Sequence, residues 1–175
     1  KEDIKKFNFL ETTNFIYDES IESEDIKYDI FNISSFDSRI DEINKISHKL
    51  FDAGFKIHFV LFYFKKLFYP HLITITEYLP LKQTKKLILQ SRAMLDVQRT
   101  DQNGLSFRTF ESLGYRKKLI TTNKEVKNYD FFHLNNILII DSSNINTNQI
   151  KEFLDLAYIE IPQHIIDKYN VKTFT

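Results

Sequence analysis

Lys56 to Phe62, KIHFVLF, form a short, nearly continuous apolar run. Such a run lacks the alternation of a half-exposed strand and suits one buried on both faces, which is the condition of a parallel sheet. Asn136 to Ile140, NILII, has the same character. Parallel neighbours cannot be joined by a tight hairpin and need a crossover, usually a helix. This constrains the chain strongly: helical stretches must lie between the apolar runs.

They do. Tyr28 to Ile33 (YDIFNI) reads as a first strand, rich in aromatic and β-branched residues. After it, Ser38 with Asp41 three residues on is a variant capping box. Ile40, Ile43, Ser47, Leu50 and Phe51 line one helical face, and Gly54 stops the helix. Lys56–Phe62 completes a β-α-β unit, whose crossover should be right-handed. Leu72–Tyr78 alternates like a strand. A helix begins after Pro80 with Thr84, Leu87, Ile88 and Ser91 facing inward, and Ala93–Val97 is a short strand. Next comes a loop, a helix capped by Ser106, and a strand Lys118–Thr122. Glu125–Phe132 reads as one or two helical turns, Asn136–Ile140 as a strand, Thr147–Leu156 as a capped helix and Pro162–Tyr169 as a short helical patch. The fold class is α/β: a Rossmann-like, doubly wound, mostly parallel sheet with helices on both faces. In such folds ligands bind outside the carboxyl ends of the strands. The candidate loops are Ser34–Ser38, Tyr63–Lys66, Glu77–Pro80, Gln98–Ser106 and Thr121–Lys124.

Composition narrows the function classes. The 175 residues suit one domain with a substantial core. Twenty-four basic and 24 acidic residues give a formal charge of +0, so no global field points to nucleic acid. Zero cysteines exclude disulfides and thiolate chemistry and fit a reducing compartment. No signal peptide and no apolar run long enough for a membrane span is present. The five histidines show no ligand spacing, so no metal is expected. Asp18 to Asp25, DESIESED, reads as a solvated loop.

Gln98 to Asn123, QRTDQNGLSFRTFESLGYRKKLITTN, carries the chemistry. Ser106 is a good N-cap, Phe107, Phe110 and Leu113 form an apolar stripe, and Gly114 suits a left-handed helix stop. A glycine-containing loop feeding a helix N-terminus can present free N–H groups to a phosphate. Arg108 and Glu111 lie three apart on one side. They are either an ion pair or ligands: a guanidinium for a diphosphate and a carboxylate for two sugar hydroxyls. Gln102, Asn103 and Gly104 form a turn, and Asp96, at a strand end, is suited to hold this loop in place. No glycine-rich dinucleotide fingerprint is present. The residues alone leave two other readings open, a receiver-like or flavodoxin-like signalling domain and a non-catalytic Rossmann-like scaffold. The first is weakened because Asp29 starts its strand rather than ending it.

RTFESLGYRKKLITTN resembles the Arg-x-Phe-Glu…Gly element of nucleotide-sugar-binding domains in glycosyltransferases with two Rossmann-like halves, the GT-B architecture. The likeness is greatest to bacterial lipopolysaccharide and capsular polysaccharide biosynthesis proteins and to the CgeB-like group. The resemblance implies that Glu111 binds the donor ribose, and that Asn103, Gly104, Leu105 and Ser106 lie at the phosphate end. Arg108 is the implied catalytic residue, stabilising the leaving diphosphate together with the helix N-terminus. Ser35 and Arg39 in the first loop, Tyr78 near the base and Thr122 beside the site are implied donor contacts. Retaining relatives carry a second glutamate in Glu-Gly-Phe-Gly, where this chain has Asn103-Gly104-Leu105.

The resemblance further implies a nucleotide-diphosphate-sugar donor and no other cofactor or metal. A glycan or lipid-linked acceptor would be held by an N-terminal half, which would also supply the catalytic base. The implied location is the cytoplasm, at the inner face of the membrane, with peripheral association of the complete protein. Lys1 at the start, and the likeness of KEDIKKFNFLETTNFIYD to the segment after the interdomain linker, make the chain an expected second half. Its expected parts are a linker-derived segment 1–27, a donor-binding domain 28–156, and a tail 157–175 with a short helix that is weakly anchored without the first half.

Overall fold

The computed structural model describes residues 13–22, 24–101 and 104–174. Six strands, β1 (Tyr28–Ser35), β2 (Ile57–Phe62), β3 (Leu72–Ile75), β4 (Ser91–Asp96), β5 (Lys118–Thr121) and β6 (Ile137–Ile139), form one sheet in the order β3-β2-β1-β4-β5-β6. Every neighbouring pair is parallel. The helices are α1 (Ile40–Asp52), α2 (Leu81–Leu89), α3 (Phe107–Gly114), α4 (Thr147–Asp155) and α5 (Gln163–Lys168), with 3-10 turns at Lys124–Asn128 and Val171–Phe174. This is the expected Rossmann-like, doubly wound fold.

Strand alternation builds two cores. Ile30, Phe59, Leu61, Ala93, Leu95 and Ile120 face α1 and α4. Their neighbours Phe31, Val60, Met94 and Leu119 face α2, α3 and α5. Because both faces are covered, these strands carry apolar side chains at successive positions, which is why the sequence shows runs rather than alternation.

Several local expectations change. Ser38 does not cap α1; Arg39 holds the N-cap position without a side-chain cap, and its N–H donates to Asp37 Oδ1 at 3.0 Å. Asn146, not Thr147, caps α4, accepting from the Gln149 N–H. β3 stops at Ile75, three residues before Tyr78. Phe51 and Phe107 lie outside the core, 54% and 45% exposed, stacked on His71 and edge-on to Phe15 respectively.

Gly114 is the instructive difference. It is helical, and the left-handed residue is Arg116, with φ 52°. The Arg116 N–H bonds to Leu113 O and the Lys117 N–H to Ser112 O, the Schellman pattern with a non-glycine at its left-handed position. Gly114 is needed for a different reason: a Cβ there would lie 2.5 Å from Asp18 O and 2.7 Å from Ile16 Cγ2. The N-terminal segment rests directly on α3. The Ser20 N–H donates to Gly114 O, and the Tyr115 hydroxyl donates to Asp18. Part of the acidic run is thus packed rather than solvated, and Asp18 also pairs with Lys85 at 3.2 Å.

The tail is anchored too, contrary to expectation. The Ile16 N–H donates to Tyr169 O and the Val171 N–H to Ile16 O, so segment and tail pair with each other. Tyr169 is 6% exposed, packs against Phe110 and Phe131, and donates to Asp130 at 2.7 Å. Aromatic pairs of this kind contribute about 0.5–1.5 kcal/mol each beyond area burial.

Candidate functional site

Strand order reverses between β1 and β4. The helix after β1 packs on one face of the sheet and the helix after β4 on the other, so the two following loops diverge and leave a crevice at the carboxyl ends. α1 and α3 both begin there.

Arg39 spans this crevice. Its Nη1 donates to Val97 O at 2.9 Å, while Nε and Nη2 fork onto the Asp37 carboxylate. Burial pushes Asp37 upward, but the hydrogen bonds and charge of Arg39 outweigh it and hold the carboxyl below its ordinary value. Ser35, at the end of β1, is exposed beside this pair and sits in register with Phe62.

Past β4 the loop is tied at its base. The Gln98 N–H donates to the Thr122 hydroxyl at 2.8 Å, and Asn123 Nδ2 donates to Gln98 Oε1 at 2.7 Å and to Gly104 O at 3.0 Å. Gly104 has φ 95°, a region that glycine enters freely. Asn14, from the N-terminal segment, donates to the carbonyl of buried Leu105. Ser106 caps α3 as expected, accepting from the Arg108 N–H at 3.1 Å. Asn103 and Gln102 lie outside the described residues.

Glu111 is 5% exposed. One carboxylate oxygen accepts from the Tyr17 hydroxyl and the other from Arg108 Nη1. The Arg108 side chain keeps 28% of its surface in solvent. Burial, then the bond to Glu111, push the Tyr17 phenol well above its ordinary range, so it remains a donor. A carboxylate has about four acceptor positions, so two accepted bonds leave capacity for hydroxyl donors.

Gly104, Ser106, Arg108, Thr122 and Arg39 therefore lie together at the carboxyl ends of β1, β4 and β5, and Ser35 ends β1 there; Leu105 is packed in the core, and Glu111 lies a turn further along α3, buried beneath Tyr17 and Arg108. Tyr78 does not join them. It follows β3, separated from β4 by β2 and β1, where it stacks on Phe62 at 3.8 Å and is 74% exposed. Asp37, Gln98 and Asn123 lie in loops that the sequence marked as candidates, whereas Tyr17 and Asn14 lie outside every one of them. Tyr17 lies 94 residues from its partner, and no local pattern reports such a pairing.

Asp96 closes the floor. It is 2% exposed, and the Thr121 hydroxyl approaches its Oδ2 at 3.4 Å. Burial raises its pKa above the ordinary 3.8, and the Ser106 hydrogen bond, the charges of Arg39 and Arg108, and the Thr121 contact only partly offset this. The folded chain thus holds this proton more tightly than the unfolded chain. Stability falls as pH rises from 3.8 through the raised pKa, and the cost is fully present above it. Asp96→Asn is expected to be more stable than the wild type at neutral pH in urea unfolding, with the gap closing on acidification through that window. A less stable Asn variant at neutral pH would show that the ionised carboxylate holds the loops together.

Among the described residues no group of three or more His, Cys, Asp or Glu is placed to hold a metal ion. None of their helices is long and apolar enough to cross a membrane. No protein-family model matches the sequence, and no curated protein matches it. Among solved structures, the chain resembles the crystal structure of the DNA-modifying enzyme β-glucosyltransferase, studied with and without its substrate uridine diphosphoglucose. The TM-score is 0.54 at 15% identity, over 87% of this chain and 49% of that one. The chain thus spans about half of a glycosyltransferase whose fold it shares.

Proposed function

We propose that this chain is the donor-binding half of a glycosyltransferase that uses a nucleotide-diphosphate sugar. The observation that carries the reading is the fold likeness: 87% of the chain follows 49% of an enzyme described with uridine diphosphoglucose. The crevice supports it. α3 opens onto the crevice with a serine cap and a glycine before it, and carries a buried carboxylate with spare acceptor positions.

In this reading Glu111 accepts from the ribose hydroxyls. The N–H groups at Gly104 to Ser106 face the diphosphate. Arg108 and the α3 N-terminus stabilise the charge that develops on the diphosphate as the anomeric C–O bond breaks. Arg39 meets phosphate by exchanging part of its fork on Asp37, with Ser35 beside it, and Thr122 holds the loop. Tyr78 stands apart and takes no part in this cluster. The acceptor hydroxyl oxygen attacks the anomeric carbon, and its proton passes to a base on the other half of the enzyme. The acceptor class we propose is a lipopolysaccharide or capsule glycan.

The test is a calorimetric titration of the chain with UDP, GDP, CDP and CMP, repeated on Glu111→Gln. One nucleotide is expected to bind, and the substitution should weaken it about 10- to 100-fold, as for a lost bond to a charged group. A folded chain that binds none of them, or a Glu111→Gln variant that binds as well as wild type, counts against the reading.

A further inference from the structure

In the donor reading Glu111 offers its carboxylate to ribose hydroxyls, yet the folded chain has closed over it. Glu111 is 5% exposed. Arg108 Nη1 donates to one oxygen and the Tyr17 hydroxyl to the other. A ribose reaches the carboxylate only where one of these side chains yields. The two contacts are unequal. The guanidinium adds a charge attraction to its hydrogen bond, which the neutral phenol lacks. Tyr17 is therefore the side chain that yields.

Tyr17 is placed to do so. It is 37% exposed, although Ile16 before it is 1% exposed. The backbone on either side is pinned: the Ile16 N–H donates to Tyr169 O, and the Ser20 N–H to Gly114 O. The side chain can swing while the segment stays seated on α3. A second partner is at hand. Tyr17 also interacts with the Tyr115 hydroxyl. The Tyr115 proton goes to Asp18 at 2.9 Å, which leaves the Tyr115 oxygen able to accept. Moving the phenol from Glu111 to Tyr115 exchanges a bond to a carboxylate for a weaker one to a neutral hydroxyl. The exchange opposes any ligand that needs the carboxylate.

We propose that the Tyr17 hydroxyl competes with the ribose for Glu111 and so sets the affinity of the crevice for a ribonucleotide. The inference rests on the donor-binding reading. A ribose hydroxyl that replaces the phenol makes one bond for the bond it breaks, so part of its binding free energy is lost to the exchange. A sugar without these hydroxyls leaves Tyr17 where it is and meets no such opposition. Tyr17 thus acts on the ligand through Glu111, and it narrows the advantage of a ribose over a deoxyribose.

The test is calorimetry with UDP, GDP and CDP, and with the 2′,3′-dideoxy form of each, on wild type, Tyr17→Phe and Glu111→Gln. Tyr17→Phe keeps the ring and removes the competing hydroxyl, so its far-ultraviolet circular dichroism should match wild type. It should tighten the nucleotide that binds by about tenfold. That is the low end for a hydrogen bond to a charged group, because water takes part of the place of the phenol in the free variant. Wild type and Tyr17→Phe should bind the dideoxy form equally. A nucleotide that Glu111→Gln weakens, but that Tyr17→Phe leaves unchanged or weakens, overturns the proposal while the donor reading stands. So does equal tightening of the ribose and dideoxy forms, since the ring would then be a steric block and its hydroxyl no competitor. If wild type and Tyr17→Phe both bind no nucleotide, the donor reading falls and this inference falls with it.

Discussion

Gly114→Ala is expected to destabilise the chain by about 2–3 kcal/mol, the range for forcing atoms into a well-packed site. The new Cβ would sit 2.5 Å from the Asp18 carbonyl oxygen and 2.7 Å from Ile16 Cγ2. The first obstacle is backbone and the second belongs to a side chain 1% exposed, so neither can swing aside cheaply. Relief requires the N-terminal segment to lift from α3. That would pull on the Ser20–Gly114 bond, the Tyr17–Glu111 bond and the Ile16–Tyr169 pairing together. Urea unfolding provides the measure. Gly104→Ala is the comparison: φ is 95° there but no atom lies within 4 Å of the added Cβ, so only backbone strain of about 1–2 kcal/mol is expected. A Gly114→Ala variant within about 0.5 kcal/mol of wild type, the span of ordinary surface changes, would show that the segment is not seated on α3.

Lys118→Met is expected to cost about 2–4 kcal/mol, because it leaves carbonyls at a buried helix end without their charged donor. Lys118 is 6% exposed and begins β5. Its ammonium donates to Phe153 O and to Leu154 O at 3.1 Å in the last turn of α4, and to O of the C-cap Leu156 at 2.6 Å. A cation at this end also meets the negative pole of the helix. Methionine keeps most of the stem and removes only the charge and its donors, so the loss in unfolding free energy reads the ammonium rather than the packing. Unchanged stability would mean that water and Arg92, which also donates to Leu154 O at 2.9 Å, satisfy the helix end by themselves. Lys118 lies at the amino end of the sheet, so nucleotide affinity well below the melting temperature should be unaffected.

These two positions mark what a linear reading misses. Gly114 was legible as a glycine at a helix end, and the usual reason for one there is a left-handed turn. The turn is made by Arg116, and the reason for the glycine is a chain segment about 96 residues away in sequence, resting on its Cα. Lys118 was legible only as the first residue of a strand, because a C-terminal cap supplied from another element leaves no periodic trace. Ser106 was read correctly for the opposite reason: its partner, the Arg108 N–H, is two residues away.

The sequence by itself determined the class of fold. Apolar runs at Lys56–Phe62 and Asn136–Ile140, separated by helical stripes, admit few arrangements other than a parallel sheet covered on both faces. The placing of candidate loops at the carboxyl ends then follows from the topology. Local spacing also determined the cap of α3 and put Arg108 and Glu111 on one side of it, since three residues apart is about one helical turn; that they pair with each other is seen only in the structure. Only the tertiary structure decided what surrounds them. It brought Tyr17 to Glu111, Arg39 across to Val97, Asn14 to Leu105, and the tail onto the N-terminal segment, while it left Tyr78 two strands away from the crevice. The physical reason is range. Helix and strand periodicity, caps and turns are set by interactions within a few residues, whereas the partners of a buried carboxylate are set by which faces the sheet brings together.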